Sequence, residues 1–367
     1  MTSIEIDNVP IGAMKILSCY REVQQILTGG MPAPRTMELH LSNACNHACV
    51  GCHSRRQHRS KQKFLDFDRL KEIISEMAEL GVEGVEISGG GEPLMYPQVI
   101  PAIAFMRSKG LKVGIFSNGT LLTKELSEFL VQNLLFLRIA FDASTPGTYR
   151  KIHGRDMFDR LHENLRTVVE ARLRLRDEAG AAGGNGGNGG KGHQWTGLST
   201  IGAKYLVSEK NWQELGPAAA MAREIGLDYF QFKCLRNSKF TLRGEQLEQA
   251  REEGVRALRE ADAGFQVFGS LNKTRVIGRC FLNPIHPVID AAGDMYLCAF
   301  YHHREEEHKI GNIYQKSVPE IWYSKRHFQA FHSSDPKKCA VFDCPFHEAA
   351  ILARSWIVDN QKHLEFV

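Results

Sequence analysis

The sequence predicts an α/β fold in which crossover helices cover a parallel sheet, followed by a smaller cysteine-rich segment. Strand-like and helix-like segments alternate about six times between residues 35 and 261, which is the order typical of a parallel sheet. Past residue 265 the alternation fades, and four of the nine cysteines follow. The alternation alone does not separate a doubly wound sheet from a partial barrel, but both place functional groups in the loops after the strands.

The first half of the alternation runs from residue 35 to residue 142. Alternating or short continuous apolar runs predict strands, and apolar residues three and four apart predict helices. Gly81 and Gly110 end two of the helices, and Thr123 is a favoured N-cap for the third. The predicted strands are 35–42, 82–88, 111–117 and 135–142, and the predicted helices are 68–80, 97–109 and 123–133.

The second half contains a low-complexity segment between a long amphipathic helix and the next strand. AGAAGGNGGNGGKG, at 179–192, has the composition of a flexible linker, and we expect an exposed insertion over 179–194. The predicted helices are 156–178, 211–225 and 245–261, and the predicted strands are 198–207 and 227–234. The predicted domains are an N-terminal extension (1–34), the α/β domain (35–265) and the cysteine-rich domain (266–367).

The composition is that of an ordinary globular protein, with 43% hydrophobic and 24% charged residues and a formal net charge of +4. The N-terminus lacks the basic start and apolar core of a signal peptide. No apolar run approaches the length of about 18 residues that spans a bilayer. We therefore expect a cytoplasmic protein without a membrane partner, in which clustered cysteines serve metal binding or catalysis rather than disulfides.

The stretch NACNHACVGCHS, residues 43–54, holds three cysteines directly after the first strand, Cys45, Cys49 and Cys52. We call it the cysteine loop. Three thiolates do not complete a closed tetrahedral zinc site. They can bind three irons of a cubane iron–sulfur cluster and leave the fourth iron open to a small ligand. A zinc knuckle and chance clustering are the alternatives.

Two further unusual loops follow the second and third strands. The first reads SGGGEP, residues 88–93. Its glycines let the backbone approach a ligand closely, and the carboxylate of Glu92 can pair with an ammonium group. The second reads FSNGT and contains Ser117 and Asn118. A glycine turn before a helix would explain GGG alone, but it explains GGGEP poorly at this distance from three clustered cysteines.

CxxxCxxC after a first strand, GGGEP one βα unit later and SNGT after the third strand together resemble the radical S-adenosylmethionine (radical SAM) superfamily. The resemblance covers roughly residues 36–235. It implies a partial (β/α)6 barrel of the TIM type and a [4Fe–4S] cluster on Cys45, Cys49 and Cys52 that binds SAM. Gly51 stands where family members often have an aromatic residue.

The resemblance also implies which residues contact the cofactor. Gly90, Gly91 and Glu92 correspond to the family's GGE motif, which binds the amino group of SAM. Ser117 and Asn118 correspond to a turn that faces the methionyl part.

The loop after the fourth strand departs from the family pattern. Relatives often have Ser-x-Asp-Gly where this chain has Ala140, Asp142 and Ala143. A contact from the side chain of residue 140 is therefore lost. Asp142 and Ser144 remain candidate cofactor contacts.

In the family, reductive cleavage of SAM gives a 5'-deoxyadenosyl radical that takes a hydrogen atom from a substrate carbon. The hard chemistry belongs to the cofactor, and the protein orients the substrate and excludes water.

The second cysteine group consists of Cys280, Cys298, Cys339 and Cys344. With GDMYLC and the segment IGNIYQKSVPEIW, it resembles the SPASM or twitch extension of radical SAM enzymes, which holds auxiliary iron–sulfur clusters. A full SPASM module has about seven cysteines, so four indicate the twitch type with one auxiliary [4Fe–4S] cluster. Tetrathiolate zinc is the alternative. The nearby histidines are expected to be ordinary core or surface residues, namely His302, His303 and His347.

Two cysteines lie outside both groups. Cys19 falls in a helix-like segment and is expected to be inert. Cys234 ends the sixth strand beside Gln231, Lys233 and Arg236, near the expected mouth of the barrel. It is either a small buried apolar group or a hydrogen-atom donor to a substrate radical.

A basic run, HSRRQHRSKQK at 53–63, follows the cysteine loop. It is a solvated face, or it attracts an anionic substrate or an electron donor such as an acidic flavodoxin. A zinc or iron–sulfur protein that binds nucleic acid through this run is an alternative of another class. The small net charge and the lack of aromatic residues in the run count against it.

Three reaction outcomes are compatible with these motifs: two-electron oxidation assisted by the auxiliary cluster, epimerisation assisted by a thiol, and crosslinking of a ribosomal peptide. Only 44 residues precede Cys45, too few for the peptide-recognition domain of many peptide-modifying relatives. We therefore expect a small polar substrate, such as a sugar, an aminocyclitol or a nucleoside, with oxidation or epimerisation as the reaction. A peptide substrate is the alternative.

Replacing Cys45, Cys49 or Cys52 by alanine should abolish reductive SAM cleavage, because each thiolate would hold one iron of the first cluster. Cys280→Ala should keep that cluster and lose the second. The measurements are iron and sulfide after anaerobic reconstitution, and 5'-deoxyadenosine after dithionite reduction with SAM. Cleavage that survives any one of the three loop replacements would sink the cluster assignment.

Overall fold

A computed structural model describes most of the chain. The described residues are 13–61, 63–181, 197–235, 239–271, 280, 283–299, 301–302, 304–335, 349 and 352–353. Residues 182–194 of the expected insertion lie outside them, whereas its first residues continue a helix to Ala181.

One sheet of ten strands organises the fold. Strands β1 to β7 are parallel and lie side by side in chain order. On the other side of β1, β8 pairs in parallel and β9 and β10 continue as antiparallel strands. The strands are β1 Thr36–His40, β2 Gly84–Ser88, β3 Lys112–Ser117, β4 Phe136–Ala140, β5 Thr200–Val207, β6 Tyr229–Cys234, β7 Gln266–Ser270, β8 Val288–Ile289, β9 Asp294–Tyr296 and β10 Lys309–Asn312.

Helices connect the successive parallel strands, as the alternation predicts. The described helices are α1 Tyr20–Leu27, α2 Phe67–Leu80, α3 Val99–Ser108, α4 Lys124–Asn133, α5 Pro146–His153, α6 Phe158–Ala181, α7 Leu215–Ile225, α8 Gly244–Leu258, α9 Glu305–His308, α10 Val318–Trp322 and α11 Lys325–Ser333. None of these helices has the length and apolar content to cross a bilayer. Thr123 caps α4 by accepting a hydrogen bond from the Leu126 N–H.

The predicted parallel α/β sheet is confirmed. The sequence analysis did not predict helix α5, strand β7 or the strands β8 to β10 that extend the sheet beyond β1. Helix α5 was missed, although Thr145 caps it, Pro146 opens it and Gly154 ends it with a positive φ of 65°. Strand β7 lies beyond residue 265, where the alternation was expected to fade. Its residues are half-buried or exposed, so it lacks the apolar run of a fully buried strand.

The two faces of the parallel sheet differ in chemistry. On the outer face, apolar residues such as Leu39, Ile87 and Ile115 are buried in the core that includes the helices. On the inner face, alternate positions of the same strands are largely polar, aromatic or half-buried. The inner-face residues used below are Glu38, His40, Glu86, Ser88, Phe116, Phe136, Arg138, Lys204, Tyr229, Gln231 and Lys233.

The sheet curves around this inner face. The charge of Glu38 on β1 acts on the pKa of Lys204 on β5. In a flat sheet, four strand spacings would hold these two positions about 19 Å apart. An open, curved sheet of parallel strands in sequential order is a partial barrel, and its inner face lines the lumen.

The C-terminal segment packs against the start of the barrel. The indole N–H of Trp322, which is buried, donates to the Pro32 carbonyl at 2.7 Å. Arg69 on α2 donates to the Ile313 carbonyl at 2.7 Å and pairs with Glu76 on its own helix. The cysteine-rich region is therefore anchored to β1 and α2, close to the strand that precedes the cysteine loop.

Thr123→Ala should lower the free energy of unfolding by about 1 kcal/mol, because α4 loses the side-chain cap of its first turn. Thr167→Ala, within α6, is the matched control, since alanine is the better residue inside a helix. Urea unfolding followed by circular dichroism measures both variants. An equal loss of stability in the two would contradict the capping role.

Candidate functional site

The cysteine loop leaves the C-terminal end of β1 and holds three partly buried thiols. The Sγ of Cys45 accepts from the His47 N–H at 3.4 Å. The Sγ of Cys49 lies 3.4 Å from Nδ1 of His153. Burial raises the pKa of Cys45 to about 11 and also raises the pKa values of Cys49 and Cys52. A thiolate here therefore needs a cation beside it, and bound iron supplies one.

The spacing of the thiols also bears on which metal group they fit. Within the described part of the chain, one group of three His, Cys, Asp or Glu side chains has all its ligand atoms within 4.8 Å of one another, and it is Glu38, Glu86 and His286. The three thiols of the cysteine loop do not form such a group, so at least one pair of their sulfur atoms is more than 4.8 Å apart. Ligands of one zinc ion would be about 3.8 Å apart at Zn–S bonds of about 2.3 Å. A cubane cluster instead places each thiolate on its own iron, so the loop fits the cluster better.

Helix α5 supports the cysteine loop from the side. The N–H groups of Ala48 and Val50 donate to the carbonyls of His153 and Ile152, at 3.0 and 2.9 Å. A Cβ on Gly154 would lie 2.7 Å from the Ala48 carbonyl. The helix missed in the sequence thus fixes the backbone on both sides of Cys49.

The SGGGEP loop lies in backbone contact with the start of the cysteine loop. The Glu92 N–H donates to the Ala44 carbonyl at 2.8 Å. A Cβ on Gly91 would lie 2.1 Å from the Ala44 carbonyl oxygen, and one on Gly90 would lie 2.1 Å from Oδ1 of Asn43. Glycine is therefore required by close approach at both positions, and the approach places Glu92 next to Cys45.

The carboxylate of Glu92 is buried and held by neutral donors. It accepts from the Ser117 hydroxyl at 2.7 Å, the Asn118 N–H at 2.8 Å and the Leu94 N–H at 3.1 Å. Burial raises the pKa of Glu92. Among the described residues, no Lys, Arg or His nitrogen lies within 4.0 Å of it. A buried carboxylate without a protein cation fits the ammonium group of an amino-acid ligand such as SAM.

The side chain of Asn118 ties the third loop to the cysteine loop. Its Nδ2 donates to Oδ1 of Asn46 at 2.7 Å. Its Oδ1 accepts from the N–H and the hydroxyl of Thr120, at 3.0 and 2.7 Å. Asn118 thus orients both loops and presents its backbone N–H to Glu92, while its contact with SAM stays a prediction.

Asp142 and Ser144 follow β4 but have different surroundings. Asp142 has a positive φ of 48° and is buried, which raises its pKa to about 6. Its carboxylate accepts from the Leu206 N–H at 2.6 Å. The hydroxyl and N–H of Ser144 both donate to Glu214, at 3.1 and 2.7 Å. Both residues hold the β4 and β5 loops together, and their roles toward the cofactor stay predictions.

The structure gives the hydrogen-donor role of Cys234 no support. Cys234 is 4% exposed and belongs to the hydrophobic core. Strand alternation places it on the outer face with Phe230 and Phe232, opposite to Gln231 and Lys233. A thiol on that side does not face a substrate in the lumen.

Only part of the second cysteine group falls among the described residues. Cys280 is half-buried and Cys298 is buried, whereas Cys339 and Cys344 lie outside the described residues. The Sγ of Cys298 lies 3.6 Å from Nδ1 of the buried His308. The sequence reasoning missed this contact, because ten residues separate the pair.

Of the three histidines set aside in the sequence, His302 is buried against Nε2 of Gln57, with its Nδ1 at 3.0 Å. His303 and His347 lie outside the described residues.

Two family models match this chain. The model of the radical SAM superfamily matches residues 39–178, and the model of the SPASM iron–sulfur cluster-binding domain matches residues 280–345. The chain belongs to the radical SAM superfamily. Its radical SAM domain takes a [4Fe–4S] cluster and SAM, and its SPASM domain takes auxiliary iron–sulfur clusters.

Individual relatives align with parts of this radical SAM chain. It is 32% identical over 123 residues to an AdoMet-dependent heme synthase of Methanosarcina barkeri, covering 33% of this chain and 35% of the relative. It is 29% identical over 135 residues to a GTP 3',8-cyclase of Synechocystis, covering 36% of this chain and 40% of the relative. These alignments span well under half of either relative.

A solved structure shares the fold. SuiB of Streptococcus suis bound to S-adenosylmethionine superposes with a TM-score of 0.63 at 13% identity, covering 86% of this chain and 72% of SuiB.

Gly91→Ala should reduce the iron bound by the first cluster site and lower the free energy of unfolding by about 1–3 kcal/mol, because the new methyl group meets the Ala44 carbonyl. Gly147→Ala is the matched control, since a Cβ at Gly147 meets nothing within 4 Å. Iron analysis after reconstitution and urea unfolding test both variants. Full iron content in Gly91→Ala would show that the close approach is dispensable.

Proposed function

We propose that this radical SAM enzyme removes a hydrogen atom from a C–H bond of a small polar substrate bound in the barrel lumen. With SAM bound at the cluster, the cofactor supplies a 5'-deoxyadenosyl radical. The observation that supports the proposal most directly is the buried carboxylate of Glu92, which accepts from Ser117 and Asn118, while the Glu92 N–H donates to the Ala44 carbonyl of the cysteine loop.

The protein groups have distinct roles in this proposal. Cys45, Cys49 and Cys52 hold the cluster and leave one iron for the cofactor. Glu92 pairs with the ammonium group of SAM, and Ser117 keeps its carboxylate in place. These contacts orient SAM toward the lumen and the substrate bound there.

The lumen supports a small polar substrate such as a sugar, an aminocyclitol or a nucleoside. Charged side chains line its wall on several strands, for example Glu38 on β1, Glu86 on β2, Arg138 on β4, Lys204 on β5 and Lys233 on β6. A polar wall orients a polar ligand through a few hydrogen bonds. The GTP cyclase relative is consistent with a nucleotide-like substrate.

We favour oxidation over epimerisation as the outcome. Epimerisation needs a hydrogen-atom donor facing the substrate, and Cys234 lies on the outer face of β6. Oxidation needs an electron acceptor, which one auxiliary cluster on Cys280 and Cys298 with Cys339 and Cys344 would supply.

A ribosomal peptide is the second candidate substrate. It is favoured by the fold shared with SuiB, whose structure has also been solved with the precursor peptide SuiA. That structure superposes on this chain with a TM-score of 0.63 at 14% identity. A peptide enzyme would give a crosslink or an epimer as its product.

An electron donor is also needed, and the basic run after Cys52 is a candidate docking surface. Arg55, Arg56, Arg59 and Lys61 are exposed there. A cationic surface near the cluster would steer an acidic protein such as a flavodoxin. We propose a cytoplasmic enzyme served by such a donor.

Reduction of the reconstituted wild-type protein with SAM should give 5'-deoxyadenosine. Glu92→Gln should keep the first cluster but weaken SAM binding about 10- to 100-fold, since the ammonium group loses a charged partner worth about 1.5–3 kcal/mol. Glu125→Gln, at an exposed position of α4, is the matched control. Equilibrium dialysis measures SAM affinity, and iron analysis checks the cluster.

The absence of deoxyadenosine from well-folded, iron-loaded wild-type protein would overturn the proposed function. Unchanged SAM affinity in Glu92→Gln would overturn the role of Glu92 alone.

A further inference from the structure

Three cationic side chains lie on the inner face of β4, β5 and β6. Arg138 pairs in register with Gly202, Lys204 pairs with Gln231, and Lys233 lies two residues further along β6. Side chains at such diagonal positions of neighbouring strands are about 7–8 Å apart at their backbones. Long basic side chains therefore bring their charges close together on this part of the lumen wall.

Lys204 is the member of this group without a protein partner. Among the described residues, no hydrogen bond or ion pair reaches its Nζ, although the side chain is half-buried. Burial, together with the charges of Arg138 and Lys233, lowers the pKa of Lys204 to about 8, although the charges of Asp142 and Glu38 act in the opposite direction. A half-buried cation beside two others is unfavourable unless an anion joins them.

Arg138 is held differently from Lys204. Its Nε donates to the Tyr229 hydroxyl at 3.0 Å. Its guanidinium lies 4.6 Å from the ring centre of Phe116 and 5.4 Å from that of Phe136. These neutral partners fix the guanidinium without cancelling its charge.

The acidic groups of the opposite wall are matched by their own neighbours. Glu38 on β1 accepts from His40 at 2.9 Å and from the Ser88 hydroxyl. Nε2 of His286 lies 3.7 Å from both Glu38 and Glu86. Against the effect of burial, the nearby imidazole of His286 and the hydrogen bond from His40 hold the pKa of Glu38 well below its usual range. The carboxylates of this wall are therefore stabilised by their own neighbours, without a contact from Lys204.

We propose that Lys204, with Lys233 beside it, binds an anionic group of the substrate, a carboxylate or a phosphate, on the inner face of β5 and β6. This inference rests on the proposed function and narrows its substrate to an anion. The positive charge of Arg138, whose register partner Gly202 lies two residues before Lys204, adds to the attraction for the anion. The opposite wall presents the carboxylates of Glu38 and Glu86, which disfavour an anion there, so the substrate has one preferred orientation.

The carboxylate of SAM is a second source of the same chemistry, and the geometry disfavours it. The amino and carboxylate groups of an amino acid share one carbon and lie about 3 Å apart. If the amino group pairs with Glu92 and Ser117 at the ends of β2 and β3, the carboxylate stays near those strands. Lys204 on β5 and Lys233 on β6 are two and three strand spacings from β3, or about 10 and 14 Å along the sheet.

Protection of lysines from acetylation tests the site in the reconstituted full-length protein, with inorganic phosphate as the probe. Mass spectrometry follows the acetylation rate of each lysine in phosphate and in chloride of equal ionic strength. We expect phosphate to slow acetylation of Lys204 several-fold and to leave Lys124, an exposed lysine of α4, unchanged. In Lys233→Gln the protection of Lys204 should fall, whereas in Lys124→Gln it should persist.

Equal acetylation of Lys204 in phosphate and chloride would overturn the inference. If SAM protects Lys204 from acetylation and decarboxylated SAM does not, the bound anion is the carboxylate of the cofactor. That result would overturn the assignment of the site to the substrate. The same wild-type preparation is assayed for 5'-deoxyadenosine. If deoxyadenosine forms but phosphate does not protect Lys204, the anion site is overturned and the proposed function stands. If phosphate protects Lys204 but no deoxyadenosine forms, the proposed function is overturned and the anion site stands.

Discussion

The site depends on one close approach between two backbones. The SGGGEP loop lies against the residues before Cys45, and the Glu92 N–H bonds the Ala44 carbonyl at 2.8 Å. Side chains at Gly90 or Gly91 would enter space already filled by Asn43 and Ala44. Because this contact joins the ends of β1 and β2, the cluster ligands and the candidate ammonium-binding carboxylate become one rigid unit.

Hydrogen bonds also connect the neighbouring loops to the cysteine loop. Asn118 from β3 bonds Asn46 of the cysteine loop, and helix α5 after β4 bonds the backbone of Ala48 and Val50. The loop that holds the thiols is therefore braced by polar contacts from three successive strand ends. Parallel strands make this possible, since all their carboxyl ends meet at one edge of the barrel.

The curved sheet separates stability from specificity. Its outer face is apolar and buried against helices, so it accounts for most of the burial that holds the fold. Its inner face carries buried and half-buried charges, such as Arg138 and Lys204, that are not part of the apolar core. The acidic side of the lumen is balanced by His40 and His286. Among the described residues, no carboxylate lies within 4.0 Å of Arg138 or Lys204, and this asymmetry gives the lumen a polarity along which a substrate would align.

By itself, the sequence determined the strand and helix order, the Thr123 cap and the candidate site motifs, because each is a local signal of spacing or residue type. It also contained charges inside otherwise apolar strands, at Glu38, Arg138 and Lys204. Such charges indicate that one face of the sheet is polar. Tertiary structure alone decided which face each strand turns inward. That choice placed Cys234 in the core and Lys204 in the lumen, because a shift of one residue along a strand reverses the side to which its side chain points.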